Sequence, residues 1–204
     1  MNQSQPSGAR KPQSDNAHEG NVPARLPFQE PVFLVGMMGA GKTTIGRALA
    51  RKLGWQFVDL DHELEARCGV RVATIFDIEG EQGFRKRERA VLDECTRRKD
   101  IVLATGGGAV LDPQNRRHLR SRGVVVYLRA TLDELYRRVE RDRSRPLLQT
   151  DNPRQRLADL ITAREPLYNE VAHLTFDTGQ LPVAQTTRIL LKQLQNFKGR
   201  EATP

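Results

Sequence analysis

The stretch Gly36-Met37-Met38-Gly39-Ala40-Gly41-Lys42-Thr43 obeys the spacing G-x-x-x-x-G-K-[ST], and it leaves the chain around it little choice of fold. Val32, Phe33, Leu34 and Val35 run into it, and Ile45, Leu49 and Leu53 follow at helical spacing. The loop therefore has to join a buried strand to a helix. A loop of this kind turns backbone N–H groups inward onto phosphate oxygens, and the new helix adds its positive end. Lys42 suits the β- and γ-phosphates of a nucleotide, and Thr43 offers a hydroxyl to Mg²⁺. An ordinary strand-to-helix turn needs neither residue at these places.

Length and charge narrow the setting. A chain of 204 residues has room for one α/β domain with a full core. No apolar stretch approaches the roughly 20 residues of a membrane helix, and residues 1–30 lack the apolar centre of a secretory signal. The expectation is a cytoplasmic protein without membrane contact. Cys68 and Cys95 stand apart from each other and from any histidine cluster, so they read as reduced, helix-borne and structural. Residues 1–30 are polar, with Arg10, Lys11 and Arg25 balanced by Asp15, Glu19 and Glu30, and are predicted to be disordered. The net charge of +8 then falls on the rest of the chain, residues 31–204, and the positive field of the folded part, residues 31–195, attracts anions. Residues 196–204 read as a flexible end.

Short β-like runs at residues 32–36, 56–58, 101–104, 124–128 and 174–176 alternate with amphipathic stretches, the pattern of βαβ units around a parallel sheet. Residues 61–100 contain no β-like run until the third strand; this helical insertion is too long for a plain crossover. It is predicted to stand over the C-terminal edge of the sheet, where ligands bind. Residues 142–153 break helical periodicity with Arg145-Pro146 and Asn152-Pro153 and read as a lid.

Several side chains could carry chemistry. Asp59 and Asp61 end the second strand two residues apart, which in extended chain puts both on one face. One suits Mg²⁺ or its waters and the other an attacking hydroxyl, although either could merely cap the next helix. Arg85 and Glu88 read by themselves as a solvated i,i+3 pair of little consequence. A working Arg85 would instead be held by Glu88 and aim its planar fork at a carboxylate. Gly106, Gly107 and Gly108 follow an apolar strand, where a close backbone approach to a ligand competes with a flexible turn. Arg138, Arg145 and Arg164 have solvated surface roles as their default. Placed on a closing lid, Arg145 could stabilise a transferring phosphoryl group.

Taken in order, Arg85, Glu88, Leu92, Val102, Leu103, Ala104, Gly106, Gly107, Gly108 and Val110, with the phosphate loop ahead of them, resemble shikimate kinase. Members of this family phosphorylate the 3-hydroxyl of shikimate with ATP on the route to aromatic amino acids. The likeness spans residues 31–194. It implies a P-loop fold of the nucleoside-monophosphate-kinase kind: a five-stranded parallel sheet of order 2-3-1-4-5, flanked by helices, with a helical substrate segment and a lid. It implies that Gly39, Ala40, Gly41, Lys42, Thr43 and Thr44 wrap the ATP phosphates, with Thr43 and Asp59 serving Mg²⁺. Asp61 is similar to the family's base, and Arg85 and Arg164 to the pair that clamps the substrate carboxylate. Gly106, Gly107 and Gly108 supply backbone contacts to the ring. Arg145 resembles the lid arginine, and Arg138 the arginine against adenine. One departure is Gln180, where many members carry arginine. Another is the N-terminal tail.

Two other readings share part of this pattern. A gluconate kinase would have the same loop and an acid substrate, but the signature from Arg85 to Gly108 speaks against it. A ligand-sensing module attached to a DNA-binding segment would suit the positive charge, yet residues 1–30 carry no helix-turn-helix pattern and the basic residues are not interleaved with aromatics. No nucleic-acid partner is expected. With no long apolar face left over, a monomer is the simpler expectation.

Overall fold

The structure is a computed structural model that describes residues 23–140, 148 and 150–198. Five parallel strands form one sheet in the order β2-β3-β1-β4-β5. They are β1 (Val32–Val35), β2 (Gln56–Asp59), β3 (Ile101–Ala104), β4 (Val124–Arg129) and β5 (Leu174–Asp177). The helices are α1 (Lys42–Leu53), α2 (Leu60–Cys68), α3 (Val72–Cys95), α4 (Pro113–Arg122), α5 (Leu132–Val139), α6 (Pro153–Val171) and α7 (Val183–Gln195).

Strand β1 is central because all four of its side chains are apolar, and each is 0% exposed. A strand buried on both faces needs a continuous apolar run rather than an alternating one. Val32 pairs with Val102 on one side and Val124 on the other, which fixes the register of β3 and β4. Helix α1 lays Ile45, Leu49 and Leu53 against the sheet. Gly46 lets it approach closely, since a Cβ there would lie 2.9 Å from Leu34 and 2.8 Å from Phe57. Truncating fully buried Leu49 to alanine would cost about 2–5 kcal/mol.

The insertion after β2 is helical, as its pattern predicts, and is made of α2 and α3. Helix α3 breaks at Gly80, whose φ of 66° and ψ of −175° no β-carbon-bearing residue adopts comfortably. Cys68 and Cys95 end α2 and α3 as free thiols. Arg98 donates to Glu63 at 2.5 Å and Arg67 reaches both Glu63 and Glu94, tying the two helices together.

Residues 23–30, counted by sequence in the polar tail, carry contacts. Ala24 donates its N–H to the Lys52 carbonyl at 2.8 Å. Ala24, Leu26 and Phe28 pack against the core, with the Phe28 ring edge-on to Phe197 at 5.9 Å. Residues 1–22 and most of the expected lid lie outside the described residues. Among the described residues no helix is long and apolar enough to cross a membrane.

Candidate active site

The C-terminal ends of β1, β2 and β3 open onto a cleft of about 460 Å³. The phosphate loop forms one wall. Gly39 and Gly41 sit at φ 80° and 93°, and Gly41 immediately precedes α1, a left-handed position that favours glycine. Lys42 folds back over the loop, its Nζ donating to the carbonyls of Gly36 at 2.8 Å and Met37 at 2.9 Å. The Thr43 hydroxyl donates to Asp59 Oδ2 at 2.8 Å, so the first turn of α1 and the end of β2 meet at one point.

Asp59 and Asp61 both line this cleft, but not as two teeth on one face of a strand. The strand stops at Asp59, whose Oδ1 accepts the N–H of Asp61 at 3.2 Å and so caps α2. Capping switches the backbone from extended to helical between the two carboxylates, and the period-two reading fails there. Asp61 is brought instead to Gly106, where a Cβ would lie 3.2 Å from its Oδ1.

The glycine triplet is not a slack turn. Thr105 donates through both its N–H and its hydroxyl to the Leu34 carbonyl at 3.1 Å. Beyond the triplet, Asn115 donates to the Ala109 carbonyl at 3.0 Å and Arg116 to the Val110 carbonyl at 2.8 Å. Each glycine faces a charged side chain from α3 or α6. A Cβ on Gly106 would lie 2.8 Å from Glu88 Oε1, one on Gly107 3.8 Å from Arg164 Nη1, and one on Gly108 2.7 Å from Arg85 Nη1. Gly106 and Gly108 are thus places where a side chain would collide, while Gly107 meets its neighbours at ordinary contact distance.

Arg85 and Glu88 are no surface pair. Glu88 is 1% exposed and takes a 2.6 Å hydrogen bond from Arg85, whose side chain is 17% exposed. The solvated reading fails because this face of α3 turns onto the triplet rather than outward. Burial pushes the Glu88 carboxyl above its ordinary range, the Arg85 guanidinium opposes this, and the nearby Asp61 charge adds to the rise. Burial works against the charge of Arg85, yet Glu88 and Glu81 together outweigh it and raise the guanidinium's pKa. The outer edge of Arg85 also contacts exposed Glu81, at 3.2 Å. Arg164 is buried as well, against the default expectation for a charge-rich helix.

Arg138 ties the nucleotide end together. It donates to the Gly39 carbonyl at 3.1 Å, to the Thr178 hydroxyl at 3.2 Å and to the Gly179 carbonyl. The cleft there is lined by Thr178, Leu181, Val183 and Thr186 rather than Gln180. Arg145 lies outside the described residues. Sequence reasoning missed the stacked pair Phe76–Phe84, 4.5 Å between centroids, with the Arg85 guanidinium 5.0 Å from the Phe84 ring. It also missed Tyr168, whose hydroxyl donates to the Gly107 carbonyl at 2.5 Å. The neighbours Phe84 and Arg85 were a usable signal for the first; Tyr168 had none.

Chemically, the cleft combines a phosphate loop and a hydroxyl–carboxylate pair at its end, and beside it the glycine triplet gathers two carboxylates, Asp61 and Glu88, and two guanidiniums, Arg85 and Arg164. That suits transfer of a phosphoryl group to an acceptor bearing a carboxylate.

Comparison with known proteins agrees with this layout. The family model described as shikimate kinase matches residues 38–195. The chain is 63% identical over 180 residues to the shikimate kinase of Bordetella pertussis, covering 88% of this chain and 85% of that one. It is 59% identical over 164 residues to the shikimate kinase of Ralstonia nicotianae, covering 80% and 86%. The solved shikimate kinase from Acinetobacter baumannii in complex with shikimate superposes with a TM-score of 0.81 at 48% identity, over 84% of this chain and 96% of that one. A match that runs from inside the phosphate loop to the end of α7, through every wall of the cleft, leaves one conclusion: the chain belongs to the shikimate kinase family.

Proposed function

We propose that this protein transfers the γ-phosphoryl group of ATP to the 3-hydroxyl of shikimate, giving shikimate 3-phosphate and ADP. The observation that carries the reading is the meeting of Asp61, Arg164 and Arg85 on the three consecutive glycines, beside a phosphate loop. Arg85 and Arg164 receive the acceptor's carboxylate, which supplies the anion that buried guanidiniums require. The backbone of Gly106, Gly107 and Gly108 lies against the ring, and a side chain at Gly106 or Gly108 would displace Glu88 or Arg85.

With the ring so held, Asp61 accepts a hydrogen bond from the attacking hydroxyl. The hydroxyl oxygen forms a bond to the γ-phosphorus as the bond to the bridging oxygen of ADP breaks, and the hydroxyl proton passes to Asp61. Lys42 leaves the loop carbonyls for the β- and γ-phosphate oxygens. Gly39, Ala40, Gly41 and Thr44 enclose the phosphates through the loop and the first turn of α1. Arg138 borders the adenine, and Arg145 would add charge from the lid. Most of the rate enhancement then comes from positioning and electrostatics.

Mg²⁺ fits the residues present. Thr43 and Asp59 would hold it, directly and through water, and among the described residues no cluster of three or more acidic, histidine or cysteine side chains competes as a metal site. A site this sparse suits an ion that keeps several waters and takes phosphate oxygens. When bound, Mg²⁺ offsets charge on the β- and γ-phosphates. In this reading the protein acts as a monomer.

The test is product identity. Incubation with ATP, Mg²⁺ and shikimate followed by NMR should give one phosphate coupled to the proton at C3. Phosphate at another carbon would remove Asp61 as the group that selects the hydroxyl.

A further inference from the structure

Tyr168 is fully buried on α6, one turn beyond Arg164, and its ring stacks on Tyr127 with centroids 5.0 Å apart and planes 25° from parallel. Its hydroxyl has one proton to give. The Gly107 carbonyl takes it at 2.5 Å, with the Met37 sulfur at 3.4 Å as a second, weaker acceptor for the same proton, and the oxygen's lone pairs remain to accept from Arg164. Burial raises the pKa of this hydroxyl, and the Arg164 guanidinium opposes the rise by charge and by hydrogen bonding. One oxygen therefore touches the middle of the triplet and the second residue of the phosphate loop, and the Arg164 guanidinium stands at the same glycine, 3.8 Å from where a Cβ on Gly107 would lie. Gly107 itself lies against that loop, since a Cβ there would be 3.5 Å from the Met38 nitrogen and 3.7 Å from the Gly36 carbonyl.

We propose that Tyr168 is a positioning residue: its hydroxyl sets the Arg164 guanidinium and the Gly107 carbonyl in register with each other, and through Met37 with the start of the phosphate loop. This rests on the shikimate kinase reading above. Arg164 has several rotatable bonds and would sample other directions in the cleft if held by packing alone. A hydroxyl fixed between an aromatic stack and a backbone carbonyl gives it one direction, toward the acceptor's carboxylate. No proton transfer is involved, because the hydroxyl stays protonated and acts only as donor and acceptor.

Tyr168→Phe keeps the ring and the stack on Tyr127 and removes only the oxygen. Steady-state kinetics should show KM for shikimate raised about ten- to 100-fold, the effect of losing a hydrogen bond to a charged group, with KM for ATP within about twofold of wild type. In an Arg164→Lys background the same substitution should change kcat/KM for shikimate by less than about twofold, since coupled residues do not add. A merely structural tyrosine predicts otherwise: equal shifts in both KM values, or an unchanged shikimate KM with a lowered unfolding temperature. Either result overturns the assignment. A wild-type protein inert toward shikimate would overturn the kinase reading and this assignment with it, and is distinguished because the variant comparison is made against an active wild type.

Discussion

Arg85 Nη1 and Glu88 Oε2 are 2.6 Å apart across one turn of α3, and the glutamate is the more deeply buried of the two. The carboxylate therefore acts as a fixed anchor and the guanidinium as the part that can meet a ligand. Glu88→Gln keeps the size of the anchor and removes its charge. KM for shikimate should rise about tenfold while KM for ATP stays nearly constant, because a charge-assisted bond is replaced by a neutral one. Arg85→Lys should raise the same KM at least as far, since an ammonium cannot make the two parallel contacts of a guanidinium. Steady-state kinetics with each substrate varied in turn separates these effects, and unchanged values for both variants would remove the pair from the acceptor site.

Gly108 should be intolerant of even one methyl group. Its Cβ would fall 2.8 Å from Arg85 Cζ, so the guanidinium must leave its place against Glu88. Gly108→Ala is expected to lower kcat/KM for shikimate by about 100-fold, as misplacement by about 1 Å can do. The far-ultraviolet circular dichroism and ATP binding should be retained. Near-wild-type kinetics would mean that Arg85 has another productive position.

Asp61→Asn should lower kcat steeply and leave ATP affinity almost unaltered, because the amide can hold a hydroxyl but cannot take its proton. Nucleotide titration alongside turnover measures both. An unaltered kcat would withdraw Asp61 as the base.

Glu63 supplies the pH dependence most open to test. The hydrogen bond from Arg98 is the largest influence on it and holds its carboxyl below the ordinary 4.5. A depressed carboxyl stabilises the fold above its unfolded pKa, and that contribution is lost as pH falls through the folded value. The wild type should unfold at a higher temperature than Glu63→Gln at about pH 7, with the gap closing below about pH 4. Thermal melts across this range would show a constant gap if the contact between α2 and the end of α3 contributed nothing.

The sheet was legible because a parallel strand buried on both faces leaves an uninterrupted apolar run, and β1 at Val32–Val35 and β3 at Ile101–Ala104 are such runs. The loop at Gly36 to Thr43 was legible because its chemistry is local. The acceptor compartment was harder to read from residues alone. Arg85 with Glu88 has the spacing of countless exposed pairs, and only the packing of α3 over the triplet takes it out of water. Asp59 and Asp61 were placed in the right cleft by the wrong geometry, since a capping bond starts α2 earlier than the strand pattern suggests. Tyr168 gave no sign in the sequence, and Arg164 read alone had a solvated role as its default: the helix that carries both has charges spread along it, and burial there is decided by a segment 61 residues away in sequence.

The most direct measurement is ADP release by the wild-type protein with ATP and Mg²⁺, in parallel with shikimate, with gluconate and with no acceptor. ADP should appear rapidly with shikimate and stay near the background rate with the other two. Turnover with gluconate, or release of ADP that is indifferent to the acceptor, would contradict the assignment of Asp61, Arg85, Arg164 and the glycine triplet as a shikimate site.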